Sequence, residues 1–370
     1  MNQSTETQPP SQPINYIHSV HEALKHRQTE ISYPYLMGVS GEAFRLFYNR
    51  FEPEKGMNTF LHNPLRAVCN ALGFKHELLY DETYLTAWER LQESVRSEKL
   101  ILLPFSDCCP LLIAADEPET ITCQNGSRYK LSFKELQTQW QPIGGFLELG
   151  PYGYYQFVLG DPEREPKERE AALGAFRCAS KLMRSRRKID NCALGLAAYE
   201  ELISHLSGMI VSKRKLTEQE IEKAIKWNGR PLLQCLEARK VAVEYLLLVE
   251  DHFDGEEAEH LKKARAAYKK VVVLLRKLRT VWSSALFLSE PPETLADQQP
   301  HRIGLNSSLI LAWKADQIAD KQAKLRQEVM KQFKSNCRDA IKLLTKIADV
   351  EAVAIGELEN VVRVSEKVKM

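Results

Sequence analysis

Long apolar runs are missing from this sequence of 370 residues. No segment approaches the roughly 18 apolar residues that a membrane-spanning helix needs, so we expect no membrane partner. Residues 1–15 are polar and rich in proline, without the charged start and the apolar centre of a signal peptide. We therefore expect these residues to form a disordered tail and the protein to be cytoplasmic.

Metal-ligand spacings are also missing. The eight cysteines form no Cys-x-x-Cys pair and no cluster with histidine at the spacing of a zinc site. Most of them lie in apolar segments, which is typical of free, buried thiols in a reducing compartment. The sequence thus predicts neither a bound metal nor a cofactor.

An excess of one charge is missing as well. The chain has 51 Lys and Arg against 49 Asp and Glu, and this balance of +2 argues against a nucleic-acid partner. Basic residues are nevertheless concentrated at 181–188 and along one helical face from Lys262 to Arg279. Each concentration predicts either a solvated surface or a docking site for an acidic partner.

Hydrophobic periodicity divides the chain into two parts. Apolar runs of strand length at 99–103 and 110–114, and a hairpin over 119–132, predict a small antiparallel sheet after the first helices. The fold class is therefore α+β, with an α+β domain over 16–161 and an all-α helical domain over 162–370. The helices predicted for the second domain are 164–187, 192–207, 217–227, 230–252, 256–286, 307–345 and 347–366.

The start of the first helix carries a capping signature. Ser19 and Glu22 stand three residues apart, as the hydroxyl and the carboxylate of a capping box do. The sequence therefore predicts a helix that begins at Ser19. A second cap, Ser132, predicts a short helix that ends at Trp140.

Four segments, in chain order, resemble the family named for the N-terminal domain of butirosin biosynthesis protein H, which has a papain-like or peptidase-C39-like fold. His18-Ser19-Val20-His21-Glu22-Ala23-Leu24 resembles the family's first motif, with Ser19 at the position of the nucleophilic cysteine. Residues 107–116 resemble a family strand and retain Cys108, Cys109 and Asp116. Residues 195–200 and 351–359 resemble two later helical motifs. The resemblance implies a papain-like N-terminal domain.

Two residues are the candidates for catalysis. Ser19 needs a general base to become a nucleophile, but no histidine lies between His76 and His205, where every predicted strand is found. Ser19 is otherwise only a helix cap. Cys109 is the second candidate, because adjacent cysteines on a strand point to opposite faces and one of them could face a cleft. The alternative is that Cys108 and Cys109 both fill the core.

The remaining site candidates are expected to line a cleft or to hold a ligand. His18 and His21 lie three residues apart and share one face of the first helix, although packing or solvent contact explains them equally well. Cys108 and Asp116 complete this set.

Two functions follow from the resemblance. In the first hypothesis the chain is a catalytically degenerate papain-like protein that acts as a binding or accessory protein in specialised metabolism. In the second it is an acyl or aminoacyl transferase that takes its acyl group from a carrier protein. The implied partner is an acidic carrier protein or a small-molecule ligand.

Overall fold

The computed structural model describes residues 16–50, 64–97, 99–103, 111–117, 120–125, 127–140, 153–186, 188–189, 191–212, 220, 230–286 and 319–368. The chain forms two compact units. The first unit consists of residues 1–42 and 58–175, and the second consists of residues 43–57 and 176–370. The sequence-based division at 161/162 assumes two contiguous domains, whereas the short segment 43–57 belongs with the C-terminal residues.

Helices and strands alternate in the first half of the chain, and helices dominate the second half. The helices are α1 (Tyr16–His26), α2 (Tyr33–Val39), α3 (Pro64–Leu72), α4 (Tyr84–Arg96), α5 (Phe133–Gln139), α6 (Glu168–Arg184), α7 (Leu196–Val211), α8 (Arg230–Leu248), α9 (Gly255–Leu286) and α10 (Ala319–Val368). The strands are β1 (Phe47–Asn49), β2 (Phe74–Asp81), β3 (Leu100–Leu102), β4 (Leu111–Glu117), β5 (Thr120–Asn125), β6 (Ser127–Ser132), β7 (Tyr154–Pro162), β8 (Lys188–Ile189) and β9 (Cys192–Leu194).

The first unit contains a six-stranded antiparallel sheet with the strand order β2-β7-β3-β4-β5-β6. Ile101 of β3 lies opposite Leu112 of β4 on one side and Val158 of β7 on the other. The expected pairing of the two apolar runs is therefore confirmed, as is the β5–β6 hairpin. The edge strand β2 was not predicted. The fold is a mixture of helices and antiparallel sheet, as the α+β class requires.

Both faces of this sheet are covered. On one face, α4 and α5 contribute to a core in which Trp88, Leu91 and Trp140 surround Ile101. Successive strand residues point to opposite faces, so the neighbouring Leu102, which is fully buried, points to the other face. Helix α1 contacts β3 and β4, α3 contacts β2 and β7, and both helices bury their own apolar residues. The sheet therefore lies between helices and holds α1 against β3 and β4.

The second unit begins with a small sheet that sequence analysis missed. Strand β1 pairs antiparallel with β9, which in turn pairs with β8. The amide of Gly195 then donates to the carbonyl of Leu46 at 2.9 Å. These bonds attach the segment around β1 to residues that follow it by more than a hundred positions.

Gly195 ends β9 and precedes α7, so the predicted helix over 192–207 is wrong in its first turn. Gly195 has a φ of +57°, a left-handed conformation that costs a side-chain-bearing residue free energy. An added Cβ would lie 2.3 Å from the carbonyl oxygen of Met183. The glycine is thus required by its backbone conformation and by this close approach.

The helices α9 and α10 pack along one another. The rings of Trp282 and Phe333 lie 6.1 Å apart, and Asn336 donates to the carbonyl of Val281 at 3.3 Å. The predicted break at 345–347 is wrong, because α10 is a single helix of 50 residues. Buried apolar residues at 344, 347, 354, 355 and 358 continue one apolar face through the expected break. Among the described helices, none combines the length and the apolar composition that crossing a membrane requires.

Candidate functional site

The position that resembles a nucleophile lies inside a helix. Helix α1 begins at Tyr16, so Ser19 is not its first residue and the predicted cap is wrong. Ser19 is only 2% exposed, and its hydroxyl has no hydrogen-bond partner among the described residues. The apolar neighbours Ile17, Val20 and Leu24 explain the difference, because burying them extends the helix past the expected cap. A hydroxyl enclosed in this way cannot attack a substrate without local unfolding.

Ser132 shows what a functioning cap looks like in this chain. Its hydroxyl accepts a hydrogen bond from the amide of Glu135, and the Glu135 carboxylate accepts one from the amide of Ser132 at 2.8 Å. This hydrogen bond from the backbone, together with that from the hydroxyl, lowers the pKa of Glu135. The prediction made for Ser132 is therefore confirmed.

The two histidines of α1 share a face with an aromatic ring. The rings of His18 and His21 lie 6.3 and 5.8 Å from that of Tyr33, the first residue of α2. Burial lowers the pKa of both histidines, and the nearby Lys25 contributes in the same direction. Both imidazoles are therefore held towards their neutral form. The cluster has the arrangement of a packed aromatic contact, in keeping with the alternative given for these residues.

The other predicted site residues are placed only in part. Cys108 and Cys109 lie outside the described residues. Asp116 lies on strand β4, and β4 pairs with β3 and β5. Within the described ranges, no three His, Cys, Asp or Glu side chains converge as they would around a metal ion.

The buried thiols outside this segment have the properties of core residues. Burial raises the pKa of Cys69 in α3 and of Cys337 in α10 to about 12. The pKa of Cys235 in α8 is raised to about 11, chiefly by burial. Because the thiolate is the reactive form, these three cysteines are poor nucleophiles at neutral pH.

The most charged part of the core is a pair that sequence analysis missed. Arg239 of α8 and Glu351 of α10 are both fully buried and form an ion pair through Nε and Oε1. Nη1 of Arg239 also donates to the carbonyls of Ala43 and Arg45, at 3.0 and 3.1 Å. Burial alone would lower the pKa of Arg239, but the Glu351 carboxylate outweighs it and raises the pKa. The guanidinium therefore stays charged and joins three separate parts of the second unit.

The Arg239–Glu351 pair lies where the two helical segments that resemble family motifs, 195–200 and 351–359, meet. Tyr199 belongs to the first segment and Glu351 to the second, and their electrostatic interaction adds to burial in raising the pKa of Tyr199. Further along α10, Glu359 accepts two hydrogen bonds from Arg184, both at 3.0 Å. The acidic residues of the second segment thus form structural ion pairs. A signal existed for Arg239, because it occupies an apolar-face position three residues after Leu236.

One basic concentration is partly neutralised by ion pairs, and the other is mostly unpaired. Around 181–188, Arg184 pairs with Glu359, and Lys188 pairs with Glu201 at 2.8 Å. On α9, by contrast, most basic side chains point to solvent. Arg265 is the exception, since it pairs with Glu250 at 2.8 Å.

An open cleft in the first unit is lined by several acidic side chains. It lies where β2 ends and α4 begins, and Asp81 is its most buried carboxylate. Burial raises the pKa of Asp81, while the ion pair with Arg90 at 3.1 Å opposes this shift. The lining residues are Tyr80, Asp81, Glu82, Thr83, Thr86, Glu89, Arg90 and Glu93.

Comparisons of the chain with protein-family models, with curated proteins and with solved structures found no match. The resemblance to butirosin biosynthesis protein H therefore stays a hypothesis based on the sequence motifs.

Proposed function

We propose that this chain is a binding or accessory protein with a degenerate papain-like first unit. The observation that carries the proposal is the burial of Ser19, at the position that resembles the family's nucleophile. The hydroxyl lies within α1 and makes no hydrogen bond to an imidazole among the described residues. A serine without a general base is a weak nucleophile, so this position contributes packing and not catalysis.

The proposal assigns binding to charged surfaces of the protein. In the first unit, the cleft beside Asp81 suits a cationic small molecule, because carboxylates dominate its lining. In the second unit, the exposed basic side chains of α9 suit an acidic protein. A cytoplasmic location and a role in specialised metabolism complete the proposal, and the free thiols of Cys69, Cys235 and Cys337 support a reducing compartment.

A thioester assay tests this function against the transferase alternative. The full chain is incubated with an acyl N-acetylcysteamine thioester, a small mimic of a loaded carrier protein, and release of the thiol is followed. We expect the background rate for the parent protein and for Ser19→Ala and Cys109→Ala variants.

The adjacent cysteine supplies the matched control. Turnover that is lost in Cys109→Ala and kept in Cys108→Ala would establish a transferase with Cys109 as its nucleophile. Turnover that is lost in Ser19→Ala, with the fold intact by circular dichroism, would restore Ser19 to catalysis.

A further inference from the structure

Positive charge is concentrated on α9 to a degree that the whole chain does not suggest. Residues 261–281 contain eight Lys and Arg and no Asp or Glu, although the complete chain carries a formal charge of only +2. The helix has an apolar face that is buried, with Leu261, Tyr268 and Leu275 at seven-residue intervals. Six of the eight basic residues lie on the opposite, exposed face, whereas Arg265 and Arg279 are half-buried.

The exposed basic residues repeat with a period of seven. They form three adjacent pairs, which we call the basic stripe: Lys262 and Lys263, Lys269 and Lys270, and Arg276 and Lys277. Between successive pairs the exposed positions hold small or β-branched residues. These are Ala266 and Val273, and Thr280 follows the last pair; Val273 is 49% exposed.

The stripe keeps most of its charge unneutralised. Lys262 lies 3.7 Å from Glu259, within the same helix. Of the other five members, none has a carboxylate within 4.0 Å in the part of the chain that the structure describes. These five are Lys263, Lys269, Lys270, Arg276 and Lys277. Unpaired charges at fixed intervals provide a surface that an acidic partner can complement.

The period of the stripe favours a helix as the partner. Seven residues advance a helix by about 10.5 Å, and a seven-residue repeat drifts around its surface by only about 20° per repeat. A second helix that supercoils around the first can follow such a stripe, as in a coiled coil. The small Ala266 lets a partner backbone approach closely, and the exposed Val273 offers an apolar contact between the charged pairs. A membrane surface would instead favour large apolar side chains beside the charges.

We infer that the basic stripe of α9 docks an acidic amphipathic helix whose carboxylate pairs repeat every seven residues. The juxtaposition of the three basic pairs with Ala266 and Val273 carries this inference. It deepens the proposed binding function by naming the partner's chemistry. The inference and the proposed function can fail separately, because the docking assay measures peptide binding and the thioester assay measures catalysis.

The test measures binding of synthetic peptides to the full chain by fluorescence anisotropy. One three-heptad peptide carries Glu pairs every seven residues with Ala and Leu between them, and a second has the same composition with irregular pair spacing. We expect the regular peptide to bind about tenfold more tightly, because only its pairs match all three basic pairs. Equal affinity of the two peptides, or no binding of either, would overturn the inference.

Charge reversal locates the site. Lys269→Glu combined with Lys270→Glu should weaken the regular peptide by about tenfold, since like charges then face each other. Lys99→Glu combined with Lys134→Glu makes the same change in net charge in the first unit and should leave affinity within about twofold. A peptide in which only the middle Glu pair is replaced by a Lys pair should bind the α9 variant more tightly than it binds the parent, which also shows that the variant is folded.

The remaining outcomes concern other polyanions. A DNA duplex and vesicles of phosphatidylserine are measured at the same salt concentration. Either of them binding more tightly than the regular peptide, with the same sensitivity to Lys269→Glu and Lys270→Glu, would replace the helical partner by a nucleic acid or a lipid surface. If the parent and the α9 variant bind the peptide equally, the site lies elsewhere and the inference fails.

Discussion

Two buried polar sites, Ser19 in the first unit and the Arg239–Glu351 pair in the second, differ in whether their polar groups are paired. In the first unit, Ser19 is enclosed without a hydrogen-bond partner among the described residues. In the second unit, Arg239 and Glu351 are buried as a pair, and Arg239 bonds two backbone carbonyls besides. An unpaired buried group costs its full desolvation, whereas a paired one specifies which segments must meet. The comparison teaches that the charges of Arg239 and Glu351 hold separate segments together, whereas the Ser19 hydroxyl contributes almost nothing to the structure.

The largest expected effect follows from breaking the buried pair. Arg239→Met alone should lower the free energy of unfolding by about 3–5 kcal/mol, because Glu351 is left as an uncompensated buried charge. Arg239→Met combined with Glu351→Met should recover much of that loss, since neither charge remains. Urea unfolding of the two single variants and the double variant measures the coupling. A double variant as unstable as the sum of its parts would mean that the pair is not coupled.

A smaller effect separates Ser19 from Ser132. Ser19→Ala should change the free energy of unfolding by less than about 0.5 kcal/mol, or raise it, because it removes an unbonded buried hydroxyl and introduces a strong helix former. Ser132→Ala should cost about 0.5–2 kcal/mol through loss of the cap. Thermal melts compare the two variants directly. A larger loss at Ser19 than at Ser132 would contradict the positions assigned to both.

Ser19→Asp sharpens the same contrast. A carboxylate is an excellent helix cap, so it would be tolerated at Ser19 if that residue began the helix. Buried inside α1 it should instead destabilise the protein by several kcal/mol. Ser132→Asp is the matched control and should retain most of the parent stability. Thermal melts of the two variants distinguish the two cases, because a carboxylate is tolerated at a cap and lowers the melting temperature at a core position.

A weak pH dependence should come from the first unit. Burial lowers the pKa of His18 and His21, so below about pH 6.5 the unfolded chain binds more protons than the folded one. Stability therefore falls as the pH drops from 7 towards 5. His18→Gln combined with His21→Gln should flatten this slope. An unchanged slope in urea unfolding at pH 5, 6 and 7 would show that the imidazoles titrate alike in both states.

The smallest effect is an expected lack of thiol reactivity. Cys69 in the first unit and Cys235 in the second have pKa values raised to about 12 and about 11. Iodoacetamide at pH 8, followed by peptide mapping, should modify the half-buried Cys178 before either of them. In urea all three should react. Rapid modification concentrated at Cys108 or Cys109 would favour the transferase alternative.

Local patterns were sufficient where they agreed with tertiary packing. The β5–β6 hairpin and the Ser132 cap were predicted because turn chemistry and capping act over a few residues. Ser19 carries the same local signature as Ser132, yet burial of Ile17 and Val20 extends the helix past it. A cap motif therefore predicts a helix start only where the preceding residues do not belong to the same helix, as those before Ser132 do not.

The remainder of the fold depends on distant contacts. Strands β1 and β9 are three residues long and form only because they pair with each other. No local sequence pattern predicts this pairing. The sequence around Arg239 likewise gives no indication that its partner is Glu351, which is more than a hundred residues away. The site candidate Ser19 gives a similar lesson, since the resemblance singled it out without indicating that it is buried.

Because residues 43–57 belong to the second unit, the chain cannot be divided at Phe176 into two fragments that each contain one complete unit. A fragment that starts at Phe176 has no strand to pair with the edge of β9. It also lacks the two carbonyls that Arg239 bonds. An unpaired strand edge is prone to association with other chains, so this fragment should aggregate. A synthetic peptide covering 43–57 would supply both missing elements in trans, which makes the second unit a natural two-part system for fragment complementation.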